Sequence, residues 1–294
     1  MSEIFETPKT TDLSILIVCW NSAETIAACL GSLPQGSEVI VVDNASTDAT
    51  VVLVRENFPW VRLIESKINL GFGSGCNLAA SHASRRNILL LNPDTSLSED
   101  CLKKMLAVFE KNPDCGAVGP RVMDFSGEIE LSWGRFPSIL AERQRRREQR
   151  GKNLNRDLFS VPTQVDWASG ACLLLRFEAW EALGGFDENF FLYFEDLDLC
   201  ARLKKLGWSV FYEPSAVLNH ERGHSSRKNL DRVAVWYRES QIRYYSKHLP
   251  FYERLFLHLY LTAKFFFPAL AKAGPARSIF KAALAPLGPG GSKS

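Results

Sequence analysis

Residues Leu13–Cys19 read LSILIVC, and this uninterrupted apolar, β-branched run predicts a short buried strand. Residues 38–42 (EVIVV) and Asn87–Leu91 (NILLL) have the same character, and residues 61–64 form a shorter candidate strand. Apolar residues at helical spacing fill the stretches between these runs. Strands that alternate with helices of about 10–15 residues predict an α/β fold with a mostly parallel central sheet.

The pattern changes after Gly116, where regular crossovers stop. Helices are predicted in the first half over residues 22–33, 47–57, 76–84 and 98–111. In the second half we predict strands over residues 117–125, 128–133, 165–176 and 208–212, and helices over residues 177–183 and 195–206. We therefore expect a mixed second half beside a Rossmann-like first half.

Composition excludes several classes of protein. The 294 residues are 46% hydrophobic and 23% charged, which excludes a disordered chain, a collagen-like chain and a polytopic membrane protein. The formal net charge is only +2, so we expect no nucleic-acid partner. The N-terminal residues 1–12 are polar and do not resemble a signal peptide.

The cysteines predict free thiols rather than a disulfide framework or a zinc site. They are odd in number and contain no C-x-x-C spacing: Cys19, Cys29, Cys76, Cys101, Cys115, Cys172 and Cys200. We therefore expect a reducing compartment.

Polar residues follow three of the predicted strands. Trp20-Asn21, Asp43-Asn44 and Asn92-Pro93-Asp94 each stand at a carboxyl end, where open α/β sheets bind ligands. One such acid alone is most often a helix cap, but three converging ends favour a site. Residues 71–75 (GFGSG) precede a helix and resemble a phosphate cradle, although Cys76 breaks the G-x-G-x-x-G pattern.

Acidic and imidazole side chains supply the candidate chemistry. Asp94 is a hard oxygen ligand that could hold Mg²⁺ or Mn²⁺ on a diphosphate, with His220 or His224 completing the site. Glu195 and Asp196 open a helix after residues 190–194 (FFLYF). Acids there suit the helix dipole alone, but an apolar wall also raises a carboxyl pKa toward general-base work.

In order and spacing, these stretches resemble family 2 glycosyltransferases of the GT-A fold, and most closely the bacterial rhamnosyltransferase-like members. The resemblance covers residues 13–245 and rests on ILIVCWNS, VIVVDNASTDAT, NLGFGSGCN, LLLNPDT, VDWASGACLLLR, GGFDENFFLYFEDLDLCARLKKLGW and VLNHERGHSS. It implies a GT-A domain over residues 12–248 between an N-terminal tail (1–11) and C-terminal amphipathic, membrane-associating helices (249–287), with a disordered tail over 288–294.

The resemblance also implies a role for each matching residue. Asp196 matches the catalytic base, and Asp94 and His220 match the ligands of Mn²⁺ or Mg²⁺, with Asn92 replacing the first acid of the D-x-D motif. The implied nucleotide-binding residues are Asn21, Asp43, Gly71, Gly73, Asn77 and Asn92. The implied acceptor-binding residues are Trp167, Gly170, Ala171 and Glu195.

The implied activity is a single inverting displacement. A nucleotide-diphosphate sugar, with dTDP-rhamnose expected first and UDP-sugars next, donates to a hydroxyl of a glycan or polyprenyl-diphosphate-linked acceptor in cell-surface polysaccharide synthesis. Two alternatives stay open: a nucleotidyltransferase of similar fold and a non-catalytic sugar-nucleotide-binding protein. The loop CWNSAET disfavours the former, because it lacks glycine and cations.

Two peripheral segments bear on location. Residues 143–156 contain seven Lys/Arg and one Glu, which predicts either a solvated loop or a basic flap that faces phosphates or anionic headgroups. Phe251–Ala271 is apolar and aromatic, but charged residues and Pro268 interrupt it. A helix that lies in the membrane interface and an ordinary packed helix both fit this stretch. The first predicts a cytoplasmic, peripheral enzyme on the inner face of the plasma membrane.

Overall fold

The computed structural model describes residues 12–98, 100–124, 126–138, 161–221, 230–271 and 274–285. Several predicted features lie outside the described residues. These are the tail over residues 1–11, the basic run 143–156, His224 and the tail over residues 288–294.

Alternating strands and helices occupy the first half, as predicted. The strands are β1 Leu13–Cys19, β2 Glu38–Asp43, β3 Arg62–Glu65, β4 Asn87–Leu91, β5 Thr95–Leu97, β6 Cys115–Asp124, β7 Ile129–Glu130, β8 Trp133–Gly134, β9 Thr163–Val165, β10 Trp167–Ala168, β11 Cys172–Arg176 and β12 Ser209–His220. The helices are α1 Ile26–Gly31, α2 Thr50–Asn57, α3 Phe72–Ala80, α4 Cys101–Lys111, α5 Phe177–Leu183, α6 Glu195–Lys205, α7 Leu230–His248, α8 Phe251–Ala271 and α9 Pro275–Ala283.

One sheet in the order β3-β2-β1-β4-β11-β6-β12-β5 crosses the domain. The first four strands are parallel, because each returns through a helix on one face or the other. Strand β11 then runs antiparallel to both β4 and β6. The predicted Rossmann-like half and mixed half are therefore confirmed.

Both faces of the central strands are buried. Along β1, Leu13, Ile15 and Ile17 pack into one core and Leu16 and Val18 into another. All seven residues of the strand are buried. A strand sandwiched between two helical layers needs a continuous apolar run, which explains why LSILIVC lacks alternation.

Five element predictions need correction. The predicted strand over residues 128–133 is divided into β7 and β8, and the one over residues 165–176 into β9, β10 and β11. The helix predicted over residues 76–84 begins earlier, because α3 starts at Phe72 and takes Gly73 and Gly75 into the helix. Helix α1 is limited to Ile26–Gly31, because residues 22–25 form a turn in which Ser22 O accepts from Ile26 N at 3.0 Å. The predicted strand over residues 208–212 continues to His220, which therefore ends a strand and is not a loop residue.

The free-thiol prediction is confirmed, since all seven cysteines are buried and unpaired. Burial raises the pKa of the Cys29 and Cys101 thiols to about 12, so these groups stay protonated and behave as small hydrophobes.

The C-terminal helices share a core with helix α6 of the sheet domain. Phe194, directly before α6, and Ala201, within it, pack in one cluster with Tyr244 of α7 and with Leu257 and Leu261 of α8. This cluster crosses the predicted boundary at residues 248/249, and the domain limits stay a prediction. Across the described residues, no helix is both long enough and apolar enough to cross a bilayer.

A buried ion cluster fastens α7 to α6. Asp198 is fully buried, and its carboxylate lies 2.8 Å from Arg202 Nε, 2.8 Å from Lys247 Nζ and 2.6 Å from His248 Nε2. Burial alone would raise the pKa of Asp198. The hydrogen bond from His248 and the charges of Arg202 and Lys247 outweigh burial and lower that pKa to about 2.

We predict that Asp198→Asn lowers the free energy of unfolding by about 3 kcal/mol at pH 7, because Arg202, Lys247 and His248 lose the buried negative charge that faces them. The usual pKa of an unfolded Asp is about 3.9, so the wild-type advantage is complete above pH ~4 and disappears as the pH falls toward 2. Urea unfolding at several pH values measures the difference. Glu65→Gln, which breaks an exposed pair with Arg55, is the control and should cost less than about 1 kcal/mol. A pH-independent difference would contradict the assignment.

Candidate active site

The loops after β1 and β2 are bonded to each other at the carboxyl edge of the sheet. Asn44 N donates to Cys19 O at 2.8 Å. Asn21 N donates to Ser46 Oγ, and Asn21 Oδ1 accepts from Thr47 N, both at 2.8 Å. Asn21 thus holds the two loops together, and its contact with a nucleotide stays a prediction.

Asp43 presents an unused acceptor in this edge. The side chain is 2% exposed, and its Oδ2 accepts from Ser46 N at 3.0 Å. Its Oδ1 is buried without a hydrogen-bond partner among the described residues. A buried carboxylate oxygen left unpaired is costly, so this atom points to a ligand that brings an N–H or O–H donor. The imide N–H of a uracil or thymine base is such a donor.

The glycine segment makes close backbone contacts instead of an open cradle. Gly71 has φ +84°, and a Cβ there would lie 2.4 Å from Phe191 O. A Cβ on Gly73 would lie 3.1 Å from Phe186 Cβ. Asn77 uses its amide on the same segment, accepting from Phe186 N at 2.8 Å and donating to Phe186 O at 3.0 Å. All three residues therefore hold α3 against residues 186–191, and their nucleotide contacts stay a prediction.

Asn44, which the sequence placed at a strand end without a role of its own, connects this segment to the sheet. Its Nδ2 donates to Gly71 O at 2.9 Å, and its Oδ1 accepts from Leu70 N at 3.3 Å. Asn44 is 2% exposed. Its position directly after Asp43, at a strand end, was the available sequence signal.

Asp94 and His220 meet as the sequence predicted. Asp94 Oδ1 lies 3.2 Å from His220 Nε2, and Glu130 Oε2 lies 3.2 Å from His220 Nδ1. A backbone bond from Glu221 N to Asp94 O, at 2.8 Å, holds the two chain segments together. Glu130 belongs to the two-residue strand β7, and no sequence pattern marked it.

This arrangement fits a divalent cation. With Nδ1 directed at Glu130, the His220 ring can offer Nε2 to a cation that Asp94 also binds. Mg²⁺ and Mn²⁺ hold ligands at about 2.1 Å in octahedra, so neighbouring ligand atoms are about 3 Å apart, which the Asp94–His220 separation matches. Within the described residues, no three His, Cys, Asp or Glu side chains are placed so that all could bind one metal ion, so substrate oxygens would fill the other positions.

The predicted acceptor wall lies between the loop of Asn92 and Asp94 and the predicted base, Asp196. Ala171 O accepts from Asn92 N at 2.9 Å, and Gly170 N donates to Asp196 Oδ2 at 3.1 Å. A Cβ on Gly170 would lie 3.1 Å from a ring carbon of Phe72. Trp167 donates through Nε1 to Arg135 O at 3.0 Å. Their contact with an acceptor stays a prediction.

Glu195 and Asp196 occupy different environments although they are neighbours. Glu195 is 6% exposed, and its Oε2 has no hydrogen-bond partner among the described residues. Burial raises the pKa of Glu195 well above its usual range, and the Asp196 charge raises it further. Burial also raises the pKa of Asp196, while hydrogen bonds from Gly170 N and Leu197 N work against that rise. Asp196 thus has two backbone N–H donors on its carboxylate, whereas burial and the neighbouring charge both raise the pKa of Glu195.

Backbone strain is concentrated at these loops. In the described part of the chain, the non-glycine residues with positive φ are Asn21 (52°), Ala45 (61°), Tyr193 (66°) and Phe194 (64°). Two follow β1 and β2, and two directly precede Glu195. Left-handed backbone at bulky residues is unfavourable, and it is retained mainly at functional sites.

Comparison with a family model and with known relatives supports this chemistry. The model described as "Glycosyl transferase family 2" matches residues 14–184. An N-acetylglucosaminyl-diphospho-decaprenol L-rhamnosyltransferase of Mycobacterium tuberculosis is 29% identical over 271 residues, which covers 80% of this chain and 85% of the relative. Rhamnosyltransferase WbbL of Escherichia coli is 27% identical over 246 residues, covering 79% of this chain and 92% of that protein.

Solved structures share the fold at low sequence identity. Mannosyltransferase PcManGT from Pyrobaculum calidifontis, in complex with GDP-Man and Mn²⁺, has a TM-score of 0.59 and 19% identity, with 92% of this chain and 78% of that one covered. S. aureus TarS in complex with UDP has a TM-score of 0.54 and 16% identity, with 87% and 80% covered. Both are glycosyltransferases, and the sheet described above has the GT-A architecture that the sequence predicted.

We predict that Glu195→Gln makes the protein more stable than wild type as the pH rises. The unfolded Glu releases its proton near pH 4.3, before the buried one does, so wild-type stability is complete below that pH and falls above it. Glutamine resembles the neutral acid in shape and removes this dependence. Urea unfolding at pH 5 and pH 8 measures the effect, with the exposed Glu181→Gln as control. Parallel pH profiles for variant and wild type would contradict it.

Proposed function

The chain belongs to glycosyltransferase family 2, and we propose that it transfers L-rhamnose from dTDP-rhamnose to a hydroxyl of a lipid-linked glycan. The observation that carries the proposal is the placement of four groups at one edge of the sheet: the unpaired Asp43 oxygen, the Asp94–His220 pair and the Asp196 base. Rhamnose and the polyprenyl-diphosphate acceptor are favoured by the names of the two relatives, and a UDP-sugar is the second choice.

Donor recognition begins at Asp43. Its free Oδ1 would accept the imide N–H of a thymine or uracil base, which satisfies the buried oxygen. A cytosine ring offers no N–H at that position, and guanine requires a larger pocket. Asp43 would therefore favour nucleoside diphosphates whose base is uracil or thymine.

Asp94 and His220 would hold Mn²⁺ or Mg²⁺ at the diphosphate. When bound, such an ion stabilises the negative charge of the leaving nucleoside diphosphate. Glu130 keeps the His220 ring oriented through Nδ1, so that Nε2 faces Asp94. Asn92 lies beside Asp94, with its backbone fixed by Ala171.

Asp196 would remove the acceptor proton. As the acceptor oxygen attacks the anomeric carbon, its proton passes to Asp196, and the bond between that carbon and the diphosphate oxygen breaks on the opposite side. The product therefore has inverted anomeric configuration. Gly170 N holds one carboxylate oxygen of Asp196, and burial keeps its pKa raised, which suits a general base.

A lipid-linked acceptor requires the enzyme to work at a membrane surface. We propose that the enzyme works on the cytoplasmic face of the plasma membrane. The C-terminal helices supply a suitable surface.

Asp196→Asn should reduce sugar transfer at least about 100-fold, because the acceptor hydroxyl loses its proton acceptor. Donor binding should persist, since Asp43, Asp94 and His220 are untouched. Product formation and calorimetric donor binding are measured in parallel. The control is Asp100→Asn, because Asp100 is exposed and directly precedes α4. Normal turnover by Asp196→Asn would remove the base assignment.

A thermal-shift screen of dTDP, UDP, GDP and CMP, each with and without Mn²⁺, tests the donor. We expect metal-dependent stabilisation by dTDP, less by UDP, and little by GDP or CMP, since binding to the folded state raises stability. Asp94→Asn should abolish the metal dependence. Asp124→Asn is the matched control. Asp124 stands opposite His220 in the pairing of β6 with β12, but its carboxylate accepts a hydrogen bond from Ser126 N in the following turn. A shift that is independent of metal would remove the metal-binding roles.

A further inference from the structure

Helix α8 turns an apolar face outward. Its exposed apolar side chains are Phe251, Tyr252, Leu255, Phe256, Leu259, Phe266, Phe267 and Leu270. At 100° per residue they fall on one side of the helix, within an arc of about 160°. We call these eight residues the α8 stripe. Phe267 and Leu270 are 75% and 72% exposed, which is unusual for contiguous large apolar groups on a monomer.

The opposite face of α8 is already occupied by the protein. Leu257 and Leu261 are buried in the core shared with α6 and α7. His258 is 7% exposed, and its Nδ1 lies 2.7 Å from Ala283 O of α9. Glu253 is also buried, at 6% exposure. Because this polar-containing face is packed, α8 cannot rotate to bury its stripe without breaking those contacts.

The exposed charges on α8 and α9 are of one sign. In the described parts of these two helices, the exposed charged side chains are Lys264, Arg277 and Lys281, and the only acid, Glu253, is buried. Lys264 Nζ lies 5.6 Å from the ring centroids of both Tyr260 and Phe265, so its stem covers apolar surface while its ammonium stays accessible. Helix α7, which packs beside α9, adds the exposed acids Asp231 and Glu239, so the cations that complement a negatively charged surface are those of α8 and α9.

We propose that the α8 stripe docks on an anionic lipid bilayer, with α8 lying in the interface plane. Aromatic and leucine side chains enter the headgroup region to a depth of about 5–10 Å, and Lys264, Arg277 and Lys281 face the anionic headgroups. An interfacial orientation also agrees with α8 being too polar to span the bilayer.

The same packing fixes the bilayer relative to the active site. Leu257 and Leu261 share their core with Phe194, which directly precedes Glu195 and Asp196. Helix α7 adds the Asp198 ion cluster two residues beyond the base. The docked enzyme therefore presents its acceptor side at a constant height above the lipid. This consequence rests on the proposed function, whereas the docking itself does not.

Flotation of the full chain with phosphatidylcholine vesicles, with and without about 30% phosphatidylglycerol, tests the surface. Wild type should float with the anionic vesicles, and raising NaCl to about 0.5 M should release most of it. The double variant Phe256→Gln/Phe267→Gln should bind at least tenfold less. Trp60→Gln/Ile68→Gln is the matched control, because those residues are 52% and 66% exposed but lie outside α8.

Equal flotation of the stripe variant and wild type overturns the proposal. So does a wild type that stays unbound and sediments as a dimer that the stripe variant dissociates, since the stripe would then cover a second copy. Transfer to a detergent-solubilised acceptor is measured on the same samples. Lost flotation with retained transfer supports the docking surface alone, whereas flotation without transfer in wild type contradicts only the proposed function.

Discussion

A parallel strand that is buried on both faces can carry polar side chains only where it ends. Strands β1, β2 and β4 are adjacent, and their polar residues stand near the two ends: Ser14, Glu38 and Asn87 at the amino edge, and Asp43 with the residues that follow β1 and β4 at the carboxyl edge. That single constraint brings Asn21, Asp43 and Asp94 to one side of the sheet without any direct contact between them. The antiparallel β11 starts from the same edge, and Ala171, directly before it, accepts a hydrogen bond from Asn92 N. Sheet geometry thus connects the segment before β11 to the loop that carries Asp94.

The acidic residues show how one chemical group acquires different properties from its surroundings. Asp198 has several hydrogen-bonding and cationic partners, which lower its pKa, and its contacts with Lys247 and His248 connect α6 to α7. Burial raises the pKa of Glu195, and the Asp196 charge raises it further. Asp196 lies between these extremes, with one oxygen held by Gly170 N. Three acids within four positions therefore have different electrostatic surroundings, and these surroundings are the reason for proposing Asp196 as the base.

The C-terminal helices also have two faces with different surroundings. Their inner face completes the core around Phe194, and their outer face keeps large apolar side chains in contact with solvent. Ordinary folding would bury such side chains. The proposed docking on a bilayer would supply the apolar surroundings that these side chains lack in the protein alone. Helix α6 and the proposed docking surface share one packed core, so docking would not require α6 to move.

The sequence by itself determined the alternation of strands and helices and the mostly parallel sheet, because apolar runs separated by segments of helical spacing favour that fold, whereas the order of the strands came from the structure. Residues Leu13–Cys19, Asn87–Leu91, Phe177–Leu183 and Phe251–Ala271 have the bounds that the patterns predicted. The sequence also marked Asp94 and His220 as partners through the family resemblance. It could not show that Glu130 completes their chain of contacts, because a two-residue strand carries no periodicity. Nor could it show that Gly73 and Asn77 pack against residues 186–191, since those contacts join segments more than a hundred residues apart. Which face of α8 is buried was likewise decided by tertiary packing, because His258 and Glu253 point inward only once α9 and α7 supply their surroundings.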